Sequence, residues 1–312
     1  MSSTPKISVI IPVAKNESYT KAIKAIRKCD FSKSQIEIIV VKGNQPSVQR
    51  NEAVKKARAP IIYFLDNDSI PDKLNFKRII QFFKTHKDAA VIGGPSLSPA
   101  SEKGFSYAVG IALGSFWGPA QSSARYSKKG KLRISSELEL ILCNMAIRKK
   151  IFIKAGMFNE KLYPNEENEL LNRIKKMKYE IWYDPNLVVF RSHRKTFTQF
   201  IKQIFTYGRG RTDQIFVDLK NITLFPLLSL GLDVYLFLLP LVNKIPFITY
   251  FTFLLFITLY KMLEYKRFIP YLLIIYFTIH TIYGIGFLYG IITNLFHLKQ
   301  KQKTIWYKIK RL

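Results

Sequence analysis

Asp66-Asn67-Asp68 sets two carboxylates one residue apart, directly behind the apolar run Ile61–Leu65. Carboxylates at that spacing offer hard oxygen donors to a divalent cation and to the phosphates it carries. The same residues also read as a polar turn in which Asp68 or Ser69 caps the next element. A second acidic group, Asn165-Glu166-Glu167-Asn168-Glu169, opens the helix expected over Leu170–Met177. Acids are favoured at a helix N-terminus by the helix dipole. Two acids at a helix mouth, together with a distant D-x-D, also supply a metal site and a general base. His193 comes after a short apolar run and stands among Arg191, Arg194 and Lys195. An imidazole there is an exposed loop residue, a phosphate contact or a third metal ligand. Gly208-Arg209-Gly210-Arg211 reads as a flexible basic loop able to clamp a diphosphate.

The elements that must position these groups alternate strand and helix. Ile7–Val13, Ile36–Val41, Ile61–Leu65 and Ala89–Gly93 have the β-branched, apolar composition of buried strands. Between them Tyr19–Arg27, Ser47–Arg58 (with Ser47 as N-cap) and Leu74–Thr85 read as helices. That alternation argues an α/β fold with a mostly parallel sheet and helices on both faces. Ligands of such sheets lie beyond the carboxyl ends of the strands, which is where Asp66 and Asp68 fall. Further on, Tyr179–Tyr183 and Leu187–Phe190 read as short strands. Phe197, Phe200, Ile201, Ile204 and Phe205 then form one apolar stripe at helical spacing, flanked by Lys and Arg. This predicts an amphipathic helix near 196–206, packed on the domain or lying on an anionic membrane surface. The basic segment Arg125–Arg133 reads equally as a solvated loop and as part of a basic belt or a mobile acceptor loop.

Together these residues resemble glycosyltransferase family 2, with its GT-A fold, over roughly residues 5 to 212. The resemblance rests on Ser8-Val-Ile-Ile-Pro12, Gln49-Arg-Asn51, Phe64-Leu-Asp-Asn-Asp68 and Asn144-Met-Ala-Ile-Arg148. It rests also on Gly156-Met-Phe-Asn-Glu160, Glu166-Glu167 and His193-Arg194, all in the family's order. The resemblance implies an inverting, metal-dependent transfer from a nucleotide-diphosphate sugar. Asp66 and Asp68, completed by His193, would hold Mg²⁺ or Mn²⁺. Glu167 would be the base, with Glu166 as the other candidate. Pro12, Glu17, Arg50, Asn51, Asp66 and Asn67 would line the nucleotide sugar, and Arg194, Arg209 and Arg211 the phosphates or acceptor. Three positions depart from the family. Lys42-Gly43-Asn44 stands where an aspartate-rich turn usually touches the nucleotide base. The acid pair is Glu-Glu rather than Glu-Asp. Gln203 is followed by Ile-Phe-Thr rather than the x-x-Arg-Trp of processive synthases, so a non-processive enzyme is expected.

Composition splits the chain. It has 312 residues, a net charge of +28 and two cysteines without a CxxC pair. This excludes a fibrous or disordered protein, the usual zinc modules and a disulfide scaffold, and points to a reducing compartment and anionic partners. Up to about Lys220 charges are spread throughout. Beyond it Ile222–Val242, Ile245–Leu263 and Phe268–Phe296 are apolar runs that read as membrane segments. The expected layout is a GT-A domain at 1–212, membrane helices at 213–298 and a basic cytosolic tail at 299–312. The opening run Ile7–Val13 is too short and interrupted for a signal peptide, so the catalytic half is expected in the cytosol, at the plasma membrane. The tail's Lys299, Lys301, Lys303, Lys308, Lys310 and Arg311 favour the same side. An even number of crossings is therefore expected: a hairpin over 222–263 turning at Asn243-Lys244, with 268–296 re-entrant, interfacial or split near Gly284 and Gly286. The similar tail of bacterial members that build polysaccharide on a lipid carrier implies a polyprenyl-linked acceptor. Four rival readings stand beside this one: a basic nucleic-acid-binding membrane protein, a transporter, a nucleotidyltransferase and a catalytically degenerate relative. Nucleic acid is not an expected partner, because the aromatics are densest in the apolar part beyond Lys220 rather than among the basic residues.

Overall fold

The computed structural model describes residues 4–219, 222–296 and 304–312. Lys220, Lys299, Lys301 and Lys303 lie outside the described residues. The chain forms two compact units that interleave in sequence: 4–99, 124–192 and 304–312 in one, 100–123 and 193–296 in the other. The expected layout ran in three consecutive segments, 1–212, 213–298 and 299–312, whereas these units interleave, with residues 304–312 joining the first.

The first unit contains β1 (Ile7–Ala14), α1 (Thr20–Arg27), β2 (Ile36–Gly43), α2 (Pro46–Lys56), β3 (Ile61–Leu65), β4 (Ile70–Pro71), α3 (Asn75–Thr85), β5 (Ala89–Gly93) and β6 (Ser96–Leu97). The second unit's α4 (Gly104–Gly114) intervenes. The first then resumes with β7 (Arg133–Ile134), β8 (Asn144–Arg148), α5 (Lys149–Lys154), α6 (Glu166–Lys176), β9 (Glu180–Tyr183) and β10 (Val189–Phe190). After α7 (Phe197–Val217), α8 (Leu224–Phe237), α9 (Ile245–Glu264) and α10 (Leu272–Leu295) of the second unit, it closes with β11 (Tyr307–Arg311).

The main sheet runs β11-β2-β1-β3-β8-β5-β9-β7. β1 is parallel to β2 and β3, while β8 is antiparallel to both β3 and β5, so the sheet is mixed. Alternation along the strands divides the core in two. Ile10, Ile39, Val41, Ile62 and Phe64 pack on one face against α2, α5 and α6. Val9, Ile11, Ile38, Val40, Tyr63 and Leu65 pack on the other against α1 and α3. β4, β10 and β6 make a small second sheet. Ser47 does not cap α2: Pro46 is its first residue, as the fixed φ of proline favours, and the Ser47 hydroxyl donates to the Leu162 carbonyl from inside the helix.

The expected basic tail is a strand. β11 runs antiparallel along β2, with Tyr307 opposite Gly43 and Arg311 opposite Ile39. Its Arg311 is salt-bridged to Glu37 at 2.9 Å, and its Tyr307 hydroxyl donates to Glu52. Basic residues on this edge strand also deter further strand addition.

The second unit is helical. The amphipathic segment expected to end near 206 continues to Val217, and Gly208–Arg211 is helical rather than a loop. α10 runs unbroken through Gly284 and Gly286, so no hairpin splits it. Here the glycines let helices meet. A side-chain carbon at Gly208 would collide with the Tyr283 carbonyl, and one at Gly286 with the Phe205 carbonyl. Small residues at such crossings allow close backbone approach. α9 and α10 are long and apolar enough to cross a membrane by length and composition. α8, with 14 residues, spans about 21 Å, short of a hydrocarbon core of about 30 Å.

Candidate functional site

The carboxyl ends of β1 and β3 and the start of α6 carry most of the expected site residues. Behind β3 the chain turns, with the Ser69 N–H donating to the Asp66 carbonyl, and Asp66, Asn67 and Asp68 are left half-buried. The Asn67 amide donates to Glu17 at 3.2 Å and to the Ser18 carbonyl at 3.0 Å, tying this turn to the loop after β1. Pro12 is buried in β1 opposite Val41.

At the mouth of α6, Asn165 takes the left-handed conformation (φ 81°), which asparagine tolerates. The helix therefore opens on Glu166 and Glu167, both buried, where the helix dipole favours negative charge. Arg50, from the buried face of α2, joins the two acidic groups: it lies 2.9 Å from Glu166 and 3.3 Å from Asp66. Arg191, just past β10, stands 2.9 Å from Asp66 and 2.9 Å from Asp68. An unbroken chain of opposite charges thus runs Glu166, Arg50, Asp66, Arg191, Asp68. Burial pushes the Glu166 carboxyl up to about 7, opposed by the attraction of Arg50 and helped by the repulsion of Glu167.

Glu167 has a different cation. Arg125 approaches it to 3.6 Å and is itself held by the Leu138 and Glu137 carbonyls and by Asn168. Arg125 is thus fixed rather than part of a mobile loop. Arg133, at the far end of that basic segment, lies over the Tyr183 ring and pairs with Glu139.

Asn51 stands apart from the carboxylates. Its amide donates to the Phe158 carbonyl and to Glu160, and its oxygen accepts the Phe158 N–H, so it pins the 158–160 loop. His193, Arg194, Arg209 and Arg211 belong to the helical unit. There Arg194 donates to Gln203, and Arg209 lies 3.9 Å from Asp213 one helical turn on. Arg211 is buried within α7 and donates to Gln214. The segment expected as a flexible clamp is therefore part of helix α7. Sequence reasoning missed Arg125 and Arg191 as site residues. Arg191 carried a signal, since it follows a strand as Asp66 does. Arg125 carried none, because only the fold brings it to Glu167.

Among the described residues no three His, Cys, Asp or Glu side chains are grouped to hold an ion. Two carboxylates at a strand end nevertheless fit a hard cation of the kind bound by one or two carboxylates together with substrate phosphates. Asp66 has one oxygen beside Arg50 and the other beside Arg191, and Asp68 has one beside Arg191, so an ion held by both carboxylates would share the Asp66 oxygens with these guanidinium groups.

Comparison with known proteins agrees with this architecture. The profile of glycosyl transferase family 2 matches residues 8–156. The mannosyltransferase PcManGT from Pyrobaculum calidifontis, solved with GDP-Man and Mn²⁺, superposes with a TM-score of 0.59 at 14% identity, covering 96% of this chain and 89% of that one. S. aureus TarS 1–349 with UDP-GlcNAc gives a TM-score of 0.47 at 16% identity, covering 74% of this chain and 72% of that one. The longer TarS structure gives 0.45 at 16%, covering 64% of this chain, which spans only 38% of that protein. No curated protein sequence matches the chain.

Proposed function

We propose, from the match of residues 8–156 to the profile of glycosyl transferase family 2, that this chain is a glycosyltransferase that moves a sugar, with inversion, from a nucleotide-diphosphate sugar to a hydroxyl of a membrane-associated acceptor. The observation that carries the reading is the linked charge array from Glu166 through Arg50, Asp66 and Arg191 to Asp68 at the strand ends. It offers a phosphate-side pole, a base-side pole and fixed cations between them.

Asp66 and Asp68 would hold Mg²⁺ or Mn²⁺. When bound, that ion offsets charge on the departing diphosphate. Arg191 adds a guanidinium beside the same carboxylates, suited to phosphate oxygens. Asn67 and Glu17 position the loops on which the nucleotide rests. Glu167 takes the proton of the acceptor hydroxyl as its oxygen attacks the anomeric carbon. The bond from that carbon to the diphosphate breaks, and its electron pair leaves with the nucleoside diphosphate. A single displacement of this kind inverts the anomeric centre. Glu166, buried and tied to Arg50, is the positioning partner. General-base assistance of this type contributes roughly 10²–10⁴-fold.

The apolar outer surfaces of α8, of α9 and of the loop between them, with Phe237, Leu241, Phe256 and Leu263 well exposed, support attachment to a bilayer. We place the sheet unit on the cytosolic side of the plasma membrane, with a polyprenyl-linked acceptor, and assign the helical unit's Arg194 and Arg209 to its anionic headgroup, while the buried Arg211 braces α7 through Gln214. The absence of the processive motif supports one transfer per encounter.

The test is nucleoside-diphosphate release by detergent-purified protein offered UDP-, GDP- and dTDP-sugars with polyprenyl-linked acceptors, with and without Mn²⁺ or Mg²⁺. Metal-dependent release that disappears in Asp68→Ala is expected. Unchanged Mn²⁺-dependent donor affinity in Asp68→Ala would remove the metal assignment. Glu167→Gln should bind donor without transferring, and an active Glu167→Gln beside an inactive Glu166→Gln would exchange the roles of the two glutamates.

A further inference from the structure

Lys42-Gly43-Asn44, the end of β2 and the residue after it, departs from the family pattern, and the structure gives the departure a physical cause. β11 enters the sheet antiparallel to β2, so its first residues arrive at the carboxyl edge of the parallel strands, the edge where ligands of such sheets lie. Asn44 clamps them with both ends of its amide. Its Nδ2 donates to the Thr304 carbonyl at 2.8 Å, and its Oδ1 accepts the Trp306 N–H at 3.2 Å. An ionised aspartate can only accept, so it would keep the second bond and lose the first. Gly43 is equally committed. A side-chain carbon there would stand 2.7 Å from the Trp306 carbonyl and 2.9 Å from the Gln49 side chain, which is anchored on the Val13 and Val41 carbonyls.

The pairing also sets the face on which Trp306 lies. Ile309 packs on the core face of Ile39 and Val41, and Tyr307 bonds Glu52 of α2 on that same side. Carried one residue back from the first residue of β11, the same alternation directs Trp306 to the opposite face. That is the face of Lys42, whose ammonium lies 5.9 Å from the centre of the Tyr19 ring. Trp306 is 38% exposed at this edge.

We infer that Trp306, held by Asn44, is the stacking platform for the base of the nucleotide donor, with Tyr19 and Lys42 beside it, and that the segment 304–306 takes over the place of the family's acidic base contact. Stacking against an indole tolerates any base, so the platform supplies affinity, and choice among bases rests on other contacts. The inference depends on the donor reading above, and its test separates the two.

The experiment measures binding of UDP, GDP and inorganic pyrophosphate, each with Mn²⁺, to the detergent-purified full chain and to Trp306→Ala, Trp306→Phe and Asn44→Ala. It is read by calorimetry and by fluorescence of the three tryptophans. Trp306→Ala and Asn44→Ala are expected to weaken UDP and GDP about tenfold or more, as loss of one stacked base implies, while leaving pyrophosphate unchanged. Trp306→Phe should keep nucleotide affinity within a few-fold and lose the nucleotide-dependent quench. Wild-type affinity for UDP and GDP in Trp306→Ala, or a quench that survives in Trp306→Phe, overturns the platform and leaves the donor reading standing. Failure of the wild-type protein to bind any nucleoside diphosphate removes the donor reading and the platform with it.

Discussion

Replacing Glu166 with glutamine tests the electrostatics of the site directly, because the effect has a sign and a pH window. Glu166 is 2% exposed, and burial raises its carboxyl from 4.5 to about 7 in spite of Arg50. The folded protein therefore holds that proton more tightly than the unfolded chain does. The resulting stabilisation is complete below about pH 4.5 and is lost as pH rises toward about 7. At about 1.4 kcal/mol per tenfold change in proton affinity, the rise corresponds to about 3 kcal/mol. Glutamine cannot ionise, so it retains the low-pH state. Against any constant offset from the altered Arg50 contact, Glu166→Gln should gain about 3 kcal/mol on the wild type across that window, or roughly 6–12 °C in midpoint for a unit of this size. The assay is thermal unfolding of the two proteins in detergent at a series of pH values from 4.5 to 8. A difference that stays flat with pH would refute the argument. A wild type that gains on the variant as pH rises would mean that Arg50 outweighs burial.

Three further outcomes are expected. Arg50→Met strips two half-buried or buried carboxylates of their shared cation. It should lower unfolding stability by about 3–5 kcal/mol, measured by denaturant titration, and an unchanged midpoint would show that the pairs contribute nothing. Gly286→Val drives a branched side chain into the Phe205 backbone of α7. It should destabilise the helical unit by roughly 1–3 kcal/mol or more, seen as faster proteolysis between 193 and 296, and a wild-type digestion pattern would contradict the close helix crossing. Single cysteines at Lys28 and Lys308, both exposed, belong to one folded unit. They should react with a membrane-impermeant maleimide from the same side of the membrane, with labelling from opposite sides excluding the pairing of β11 with β2.

Much of the sheet unit was legible because its signals are local. Runs such as Ile36–Val41 and Ile61–Leu65 are β-branched, continuous and bounded by polar turns, and each became a strand within two residues of the expected ends. The D-x-D turn and the glutamate pair were legible for the same reason, since strand end and helix mouth are sequence-adjacent to the acids they carry. The illegible part depends on contacts between distant residues. Nothing near Arg125 announces that it will meet Glu167. Lys308-Ile309-Lys310-Arg311 reads as a charged tail until β2 is known to lack a neighbour on that side. Gly208-Arg209-Gly210-Arg211 has the composition of a loop, and intrinsic propensity argues against a helix there. The crossing of α7 with α10 overrides it, because only glycine lets the two backbones approach so closely. The same substitution of tertiary for local logic keeps Gly284 and Gly286 inside a continuous α10.

The return of β11 to the sheet constrains the membrane more tightly than charge counting does. Residues 4–99 and 304–312 are parts of one hydrogen-bonded sheet, and one sheet cannot lie on both sides of a bilayer. If the segment 193–296 enters a membrane, it must begin and end on the same side, so any complete crossings are even in number. That requirement is independent of the positive-inside tendency, which pointed to the same parity from lysines alone. It also narrows the candidates. α9 and α10 are the two helices of sufficient length, but Lys266-Arg267 lies between them and would then face the far side. Pairing α9 with the region of α8 keeps those cations on the sheet unit's side, yet α8 by itself is too short to span and would need the apolar residues up to Val242. α10 is half-buried among α4, α7, α8 and α9, as befits the central member of a packed bundle, whereas α9 is mostly exposed. An α8–α9 hairpin leaning on a central α10 satisfies parity, charge and burial together. A cysteine at Asn243 labelled from the side opposite to Lys28 would establish that hairpin, and labelling of both from one side would leave the helices lying along the surface without crossing it.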